Sequence, residues 1–422
     1  MSNFTLIFVD KITMGGCEMA KKKKKKWLKF RHRVVRNILS VTLAPYTSLR
    51  YNVKVERFKE QEKRPYLILM NHQTAFDQFF IGMAFKGPVY YLASEDLFSN
   101  GWVSSLIKYL VAPIPIRKQT TDVKAIMACI RVAKEGGTIA IAPEGNRTYS
   151  GKTEYMSPSI AMLAKKLGMP IALFRIEGGY GVHPRWSDVV RKGKMRAYVS
   201  RVISPEEYKS LTDDELFELI KDGLYVDEAV SDAEFHHKKL AEYLERAIYV
   251  CPFCGLSSFE SHGDEMTCLG CKRTVKYLPT KELEGVGYEH PYRFVSEWYN
   301  AQSDFVNELD VLEYDENPMY EEKVDLYEVI PYDRKNLLRE EVKIALYGNR
   351  IELLSGEESL IFRFDDTSAV TVLGRNKMNI YYGDKLYQIK GGKRFNALKY
   401  VHIYHRYKNI MAGEKNGKFL GL

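Results

Sequence analysis

Tyr66-Leu67-Ile68-Leu69-Met70-Asn71-His72-Gln73-Thr74-Ala75-Phe76-Asp77 is a short, wholly apolar run that ends abruptly in an amide, an imidazole and, five positions after the imidazole, a carboxylate. A run of this length with a polar end reads as a buried strand, and the end of a buried strand is where reactive side chains gather in open α/β sheets. By itself the His72/Asp77 spacing is weak evidence, since nine His and 54 acidic residues among 422 positions would give about one such pair by chance. His237 with Glu242 is a second instance, inside what reads as an ordinary charged helix.

Three further blocks follow in order. They are Ile114-Pro115-Ile116-Arg117, Ala142-Pro143-Glu144-Gly145-Asn146-Arg147-Thr148 and Gly168-Met169-Pro170-Ile171. Between them the pattern alternates: strands at Tyr66 to Met70, Val89 to Ala93, Ile114 to Ile116, Thr138 to Ala142, Ile171 to Ile176 and Met195 to Val202, with helices at Ala75 to Phe85, Gly101 to Val111, Asp122 to Lys134 and Ser157 to Leu167. Alternation of this kind predicts an α/β domain, a mixed sheet flanked by helices on both faces. Two acidic helices are expected after it, around Asp213 to Lys221 and Ala233 to Ala247.

The four ordered blocks resemble those of the 1-acyl-sn-glycerol-3-phosphate acyltransferase family over roughly residues 55–249. The resemblance implies a glycerol-3-phosphate acyltransferase-like fold and acyl transfer from acyl-CoA or acyl carrier protein (acyl-ACP) to the free hydroxyl of a lysophosphatidate-like lipid. A neutral alcohol is a poor nucleophile, and a neutral imidazole suits removal of its proton near pH 7. His72 is then the general base, and Asp77 accepts a hydrogen bond from the other ring nitrogen. The pair can meet only if His72 lies ahead of a helix and Asp77 in its first turn. Backbone amides just after His72 are candidate oxyanion donors.

Arg117 and Arg147 each follow an apolar strand, so both guanidinium groups are expected at strand ends, where two such forks suit a phosphate monoester. The resemblance implies the same role, with Glu144 and Gly145 beside Arg147 in the glycerol-phosphate loop. Gly145 is expected to allow close backbone approach, and Glu144 to order Arg147 or touch the glycerol hydroxyl. Ala142 stands where the family has an aromatic, Asn146 where it has Thr or Ser, and Thr74 replaces a Ser. The first two departures leave another lyso-lipid acceptor as the alternative substrate, and a non-catalytic zinc-containing lipid-binding protein is the alternative from a different class.

Positive charge is localised. Lys21 to Arg36 holds ten Lys or Arg and no acidic residue, and without it the chain is close to neutral. Trp27, Phe30, Val34, Ile38 and Val41 step by three or four, which places them on one helix face beside Lys29, Arg33 and Arg36. An anionic membrane surface fits such a helix, packing on its own domain is the alternative, and nucleic acid is not expected because no recognition module accompanies the charge. No apolar run reaches 18 residues, and Ile38 to Leu49 is expected to break at Pro45, so the chain should lie on the cytoplasmic face of a bilayer as a peripheral protein. Residues 1–20 do not read as a signal peptide, and Met19-Ala20-Lys21 would make a natural start.

Cys251-x2-Cys254 and Cys268-x2-Cys271 are knuckles spaced for a tetrahedral four-thiolate Zn²⁺ site, as in a zinc ribbon, with iron or a redox pair as alternatives. No ligand position would stay open, so the expected role is structural, with chelation unfolding this module alone. Cys17 and Cys129 read as unpaired. From Lys323 onward seven short strands, joined at Gly348-Asn349 and Gly383-Asp384 by hairpin turns, precede a helix near Asn396 to Ile410 and resemble a pleckstrin-homology or GRAM-like module, with a plain β-rich oligomerisation domain as the alternative. The expected division is a 1–20 tail, a 21–54 membrane segment, a 55–249 acyltransferase domain, a 250–276 zinc ribbon, a 277–320 helical linker and a 321–422 β-rich domain.

Overall fold

The structure is a computed structural model that describes residues 26–60, 64–116, 122–229, 232–331, 333–355 and 358–414. The 1–20 tail, Lys21 to Lys25, Cys17 and Arg117 lie outside the described residues.

The first sheet has seven strands: β1 (Val53–Val55), β2 (Leu67–Met70), β3 (Val89–Ser94), β4 (Ile114–Ile116), β5 (Thr138–Ile141), β6 (Ile171–Glu177) and β7 (Met195–Ile203). Their order is β1-β7-β6-β2-β5-β3-β4. Five of them, β6-β2-β5-β3-β4, run parallel, while β7 is antiparallel to β6. Alternate residues of β2 leave the strand on opposite faces. Leu67 and Leu69 join a core with Cys129 and Val132 of α4 (Val123–Lys134), Ile160 and Ala164 of α5 (Ser159–Leu167) and Ile220 of α8 (Asp213–Leu224). Ile68 and Met70 join another with Tyr51 of α1 (Phe30–Tyr51) and Phe80, Ile81 and Ala84 of α2 (Asp77–Ala84). Burial on both faces is why β2 is apolar throughout rather than alternating. Helices α3 (Trp102–Val111), α6 (Gly179–Val182) and α7 (Pro205–Lys209) complete this part of the chain.

Helix α1 does not break at Pro45 but runs through it. Proline removes the hydrogen bond to the Val41 carbonyl. Val41 is exposed, so water can take that acceptor, and Thr42 and Thr47 hydroxyls bond the Ile38 and Leu43 carbonyls. The expected apolar face is also divided. Trp27 packs on the domain and donates its indole N–H to the Ala112 carbonyl at 3.0 Å, and Arg36 binds the Gly82 and Phe85 carbonyls. Phe30, Val34, Ile38, Val41 and Leu49 stay exposed, and among the described residues no helix is long and apolar enough to cross a membrane.

The helix expected over Ala233 to Ala247 is absent. That stretch is irregular apart from an isolated bridge at His236 and a single 3-10 turn, Leu244–Arg246. Its charges are not all on a solvated face: Glu234, Lys238 and Lys239 are exposed, but Glu242, Glu245 and Arg246 are buried, and Arg246 binds the Trp186 carbonyl at 2.8 Å and Asp188 at 2.7 Å. Phe235 fills the space where Gly181 and Gly193 lack a side chain. Packing between distant segments overrides the local helical pattern here.

Beyond it, β8 (Val250–Cys251) and β9 (Gly255–Leu256) form one knuckle, and β10 (Phe259–His262), β11 (Glu265–Cys268), β12 (Thr274–Tyr277) and β13 (Leu283–Gly285) form an antiparallel sheet. After α9 (Val295–Glu308) come β14 (Tyr320–Val329), β15 (Lys335–Leu346), β16 (Arg350–Ser355), β17 (Glu358–Arg363), β18 (Thr367–Leu373), β19 (Lys377–Tyr382), β20 (Lys385–Gly391) and α10 (Leu398–Met411). Two antiparallel meanders, β14 to β17 and β18 to β20, join where β14 pairs with β20, giving the order β17-β16-β15-β14-β20-β19-β18. One continuous apolar core runs from the cysteine knuckles through α9 into this sheet and α10, and it also takes in Tyr149 and Trp186 of the first domain.

Candidate active site

Three loops leave the same edge of the parallel sheet, because β5, β2 and β6 are neighbours running in one direction. They carry Glu144 to Arg147, His72 to Asp77 and Gly178 to Arg185.

Asn71 extends β2 by an amide that mimics the backbone. Its Nδ2 donates to the Ile176 carbonyl and its Oδ1 accepts the Ile176 N–H, both at 2.8 Å. This fixes the chain as it leaves the strand, and Gln73 adds a second tie by accepting the Tyr180 N–H at 2.9 Å. His72 therefore precedes α2, and Asp77 is the first residue of that helix. The His72 Nδ1 lies 2.8 Å from Asp77 Oδ2. Asp77 is fully buried and also accepts the N–H groups of Gln73 and Thr74 and the Thr74 hydroxyl. A carboxylate so saturated accepts from Nδ1–H, which leaves Nε2 as the basic nitrogen. Nε2 has no hydrogen-bond partner among the described residues, and the imidazole side chain is 24% exposed.

Three of the backbone amides expected as oxyanion donors, and that of His72 itself, are committed elsewhere. Those of Gln73 and Thr74 face Asp77, that of Phe76 faces the Thr74 hydroxyl, and that of His72 faces Glu144.

Glu144 neither pairs with Arg147 nor projects outward. One oxygen accepts the His72 N–H and the other the Glu154 N–H, each at 2.8 Å, so the carboxylate bolts the Pro-Glu-Gly loop to the base of His72. Burial pushes its carboxyl up to about 8, against the pull of the two N–H donors. The Thr148 N–H adds a bond to the His72 carbonyl at 3.2 Å. Gly145 adopts φ +68°, and open space surrounds the position of a missing Cβ, so backbone conformation rather than close approach demands glycine.

Arg147 Nη1 is buried without a hydrogen-bond partner among the described residues. Burial brings the guanidinium down to about 10, Arg185 and Arg375 push in the same direction, and Asp77 opposes them. Arg147 thus lies within electrostatic reach of the Asp77 that holds His72, and of two arginines that no block contains. Arg185 donates to the Arg147 carbonyl at 3.0 Å. Arg375, from the β18–β19 turn, donates to His183 Nε2 at 2.8 Å. The Gly178-Gly179-Tyr180-Gly181 run before His183 was the local signal for this third loop; nothing local announces Arg375.

The four cysteine sulfurs of the knuckles all lie within 4.8 Å of one another. Cys251 to Cys271 is 3.7 Å and Cys254 to Cys268 is 3.6 Å. Thiolates about 2.3 Å from a central tetrahedral Zn²⁺ are about 3.8 Å apart, so this donor set fits the ion. Cys129 is free and buried.

Residues 51–176 match the acyltransferase family model, a range that contains all four blocks. Over that stretch the chain is similar to the acyltransferase family. Over 194 residues it is 25% identical to a 1-acyl-sn-glycerol-3-phosphate acyltransferase of Bacillus subtilis, covering 44% of this chain and 90% of that one. A chloroplastic 1-acyl-sn-glycerol-3-phosphate acyltransferase of Brassica napus is 20% identical over 44% of this chain and 54% of its own length. A third, from Arabidopsis thaliana chloroplasts, is 21% identical over 42% and 49%. The acyltransferase domain thus spans about half the length of the plant relatives. The crystal structure of the 1-acyl-sn-glycerophosphate acyltransferase of Thermotoga maritima aligns with a TM-score of 0.39 at 25% identity, over 46% of this chain and 78% of that one.

Proposed function

We propose that this acyltransferase works at an anionic membrane surface, on its cytoplasmic face, and moves a fatty acyl group from acyl-CoA or acyl-ACP to the free hydroxyl of lysophosphatidate, giving phosphatidic acid. The observation that carries the reading is the His72–Asp77 pair with Arg147, one of whose nitrogens is buried without a partner among the described residues, within electrostatic reach of Asp77. In this account the acceptor hydroxyl gives its proton to His72 Nε2 as its oxygen attacks the thioester carbonyl. Asp77 holds the tautomer and stabilises the imidazolium. The departing thiolate takes that proton, so the base is regenerated and a free thiol leaves. Arg147 grips the acceptor phosphate, a role Arg117 shares by family resemblance.

Cys251, Cys254, Cys268 and Cys271 would hold a structural Zn²⁺, which would supply a rigid cross-link rather than chemistry. The exposed apolar residues of α1 and α3 would seat in the headgroup layer, and the seven-stranded module with its terminal helix reads as a pleckstrin-homology-like domain. A different lyso-lipid acceptor is the second reading, motivated by Ala142 and Asn146.

The test is a vesicle assay with labelled acyl donor and a panel of lyso-acceptors. Strong preference for lysophosphatidate over lyso-lipids whose phosphate is esterified twice supports the reading. Preference for the diesters redirects it to another acceptor, and no transfer to any acceptor defeats it.

A further inference from the structure

Arg185 and Arg375 belong to none of the four blocks, yet both reach the surroundings of Arg147. Arg185 is 3% exposed. Its guanidinium donates to the Arg147 carbonyl at 3.0 Å, to Asn146 Oδ1 at 3.4 Å and to the Gly374 carbonyl at 3.4 Å, and it lies 4.2 Å over the Tyr149 ring. Every one of these partners is neutral. Arg147 has a buried nitrogen with no partner among the described residues.

Arg375 arrives from the opposite end of the chain. It sits in the three-residue turn Gly374-Arg375-Asn376, where Gly374 takes φ +62°, and Asn376 anchors the turn through the Gly391 carbonyl at 2.8 Å. One of its nitrogens donates to His183 Nε2 at 2.8 Å, so the His183 Nδ1–H faces the Tyr51 hydroxyl at 3.0 Å. The other lies 3.0 Å from Asp188, a carboxylate already engaged by Arg246 at 2.7 Å. Asp77, the other acid within reach, is filled by its own donors. Three guanidinium groups thus lie within electrostatic reach of one another, with one shared carboxylate beside Arg375: Arg185 is buried, Arg147 has one buried nitrogen, and Arg375 is half-buried. Cations in such excess favour an anion, and planar forks from several directions match the oxygens of a phosphate monoester.

We propose that Arg375 and Arg185 complete, with Arg147, the pocket for the phosphate monoester of the acceptor lipid, so that the C-terminal β-rich domain supplies part of the substrate site. The assignment deepens the lysophosphatidate reading and rests on it. It makes the C-terminal domain a determinant of acceptor choice. The same pocket chemistry would accept a phosphate of CoA or free phosphate, and kinetics separate these sources.

Full-length Arg375→Ala and Arg375→Lys are compared with wild type in the vesicle assay. Arg375→Ala should raise the KM for lysophosphatidate by at least about tenfold, change kcat by less than about threefold and leave the acyl-CoA KM unmoved. Arg375→Lys should recover part of the loss. Soluble sn-glycerol 3-phosphate should compete with lysophosphatidate for wild type and not for Arg375→Ala, while glycerol competes with neither. If Arg375→Ala does not fold, Arg375→Gln, which keeps a donor for His183, is read in its place. An unmoved acceptor KM overturns the assignment, and so does an increase confined to acyl-CoA, which would place a donor phosphate there. Equal losses for lysophosphatidate and doubly esterified lyso-lipids would make Arg375 merely structural. Wild-type enzyme that transfers nothing to lysophosphatidate defeats the functional reading and the assignment together; wild-type transfer with an unmoved KM in the variant defeats the assignment alone.

Discussion

The carboxylate of Glu144 accepts the backbone N–H of His72 with one oxygen and that of Glu154 with the other, both at 2.8 Å. The Pro-Glu-Gly loop and the His72 loop, 72 residues apart in sequence, are thereby a single mechanical unit. Glu144→Gln keeps the shape but turns one acceptor into an NH2 group facing an N–H. Leaving that buried donor unsatisfied costs about 1–3 kcal/mol. Urea midpoints should fall accordingly and kcat should drop with His72 misplaced; a variant with wild-type stability and kcat would show that the clamp is dispensable.

Metal removal should reach further than the cysteine module. Cys251 and Cys268 are buried in the same core as α9 and the C-terminal sheet, and Tyr149, two residues from Arg147, shares it. The sequence alone pointed to an insulated ribbon; the shared core predicts coupled loss. Purified protein should carry one Zn²⁺ per chain, and chelation or Cys254→Ser should lower the melting temperature of the C-terminal half as well as the knuckles. Acyl transfer measured below the new midpoint should persist. Metal analysis finding no zinc, or a Cys254→Ser protein of unchanged melting temperature, would refute this.

Burial holds His183 and His402 neutral, bringing each down to about 3. Unfolded, both titrate near about 6.5. Below that pH the unfolded chain binds protons that the folded chain refuses, so this part of the stability is complete above about 6.5 and is lost as pH falls toward about 3, by up to about 1.4 kcal/mol per pH unit for each histidine. Glu144 and Glu228, raised by burial to about 8 and about 7, act oppositely: their contribution is lost as pH rises. Comparing wild type with His183→Gln isolates one histidine. The variant should lose less stability between pH 7 and pH 5, and parallel curves would exclude the effect.

The exposed apolar face of α1, with Trp102, Leu106 and Tyr109 of α3 beside Arg31, predicts where a bilayer is met. Replacing Phe30 and Ile38 together by Asp removes about 1.5–3 kcal/mol of apolar burial per side chain and should cut co-sedimentation with anionic vesicles by well over about tenfold. Unaltered vesicle binding would move the contact to another surface.

Sequence periodicity made most elements of this fold legible. β2, β5 and β6 are apolar because both faces are covered, and the polar stretches after β2 and β5 stand at neighbouring strand ends, where topology makes residues converge. The irregular 232–247 stretch was not legible, since its charged residues read as a solvated helix until Arg246 finds Asp188 and Phe235 finds the gaps at Gly181 and Gly193. Nor was the cationic cluster. Arg375 meets His183 across 192 positions, a relation that only tertiary structure creates.

The most direct test is the rate of acyl transfer to lysophosphatidate on vesicles by folded, purified His72→Ala. Its kcat should fall by about 10²- to 10⁴-fold with an unchanged melting temperature. Transfer near the wild-type rate would contradict general-base catalysis by His72.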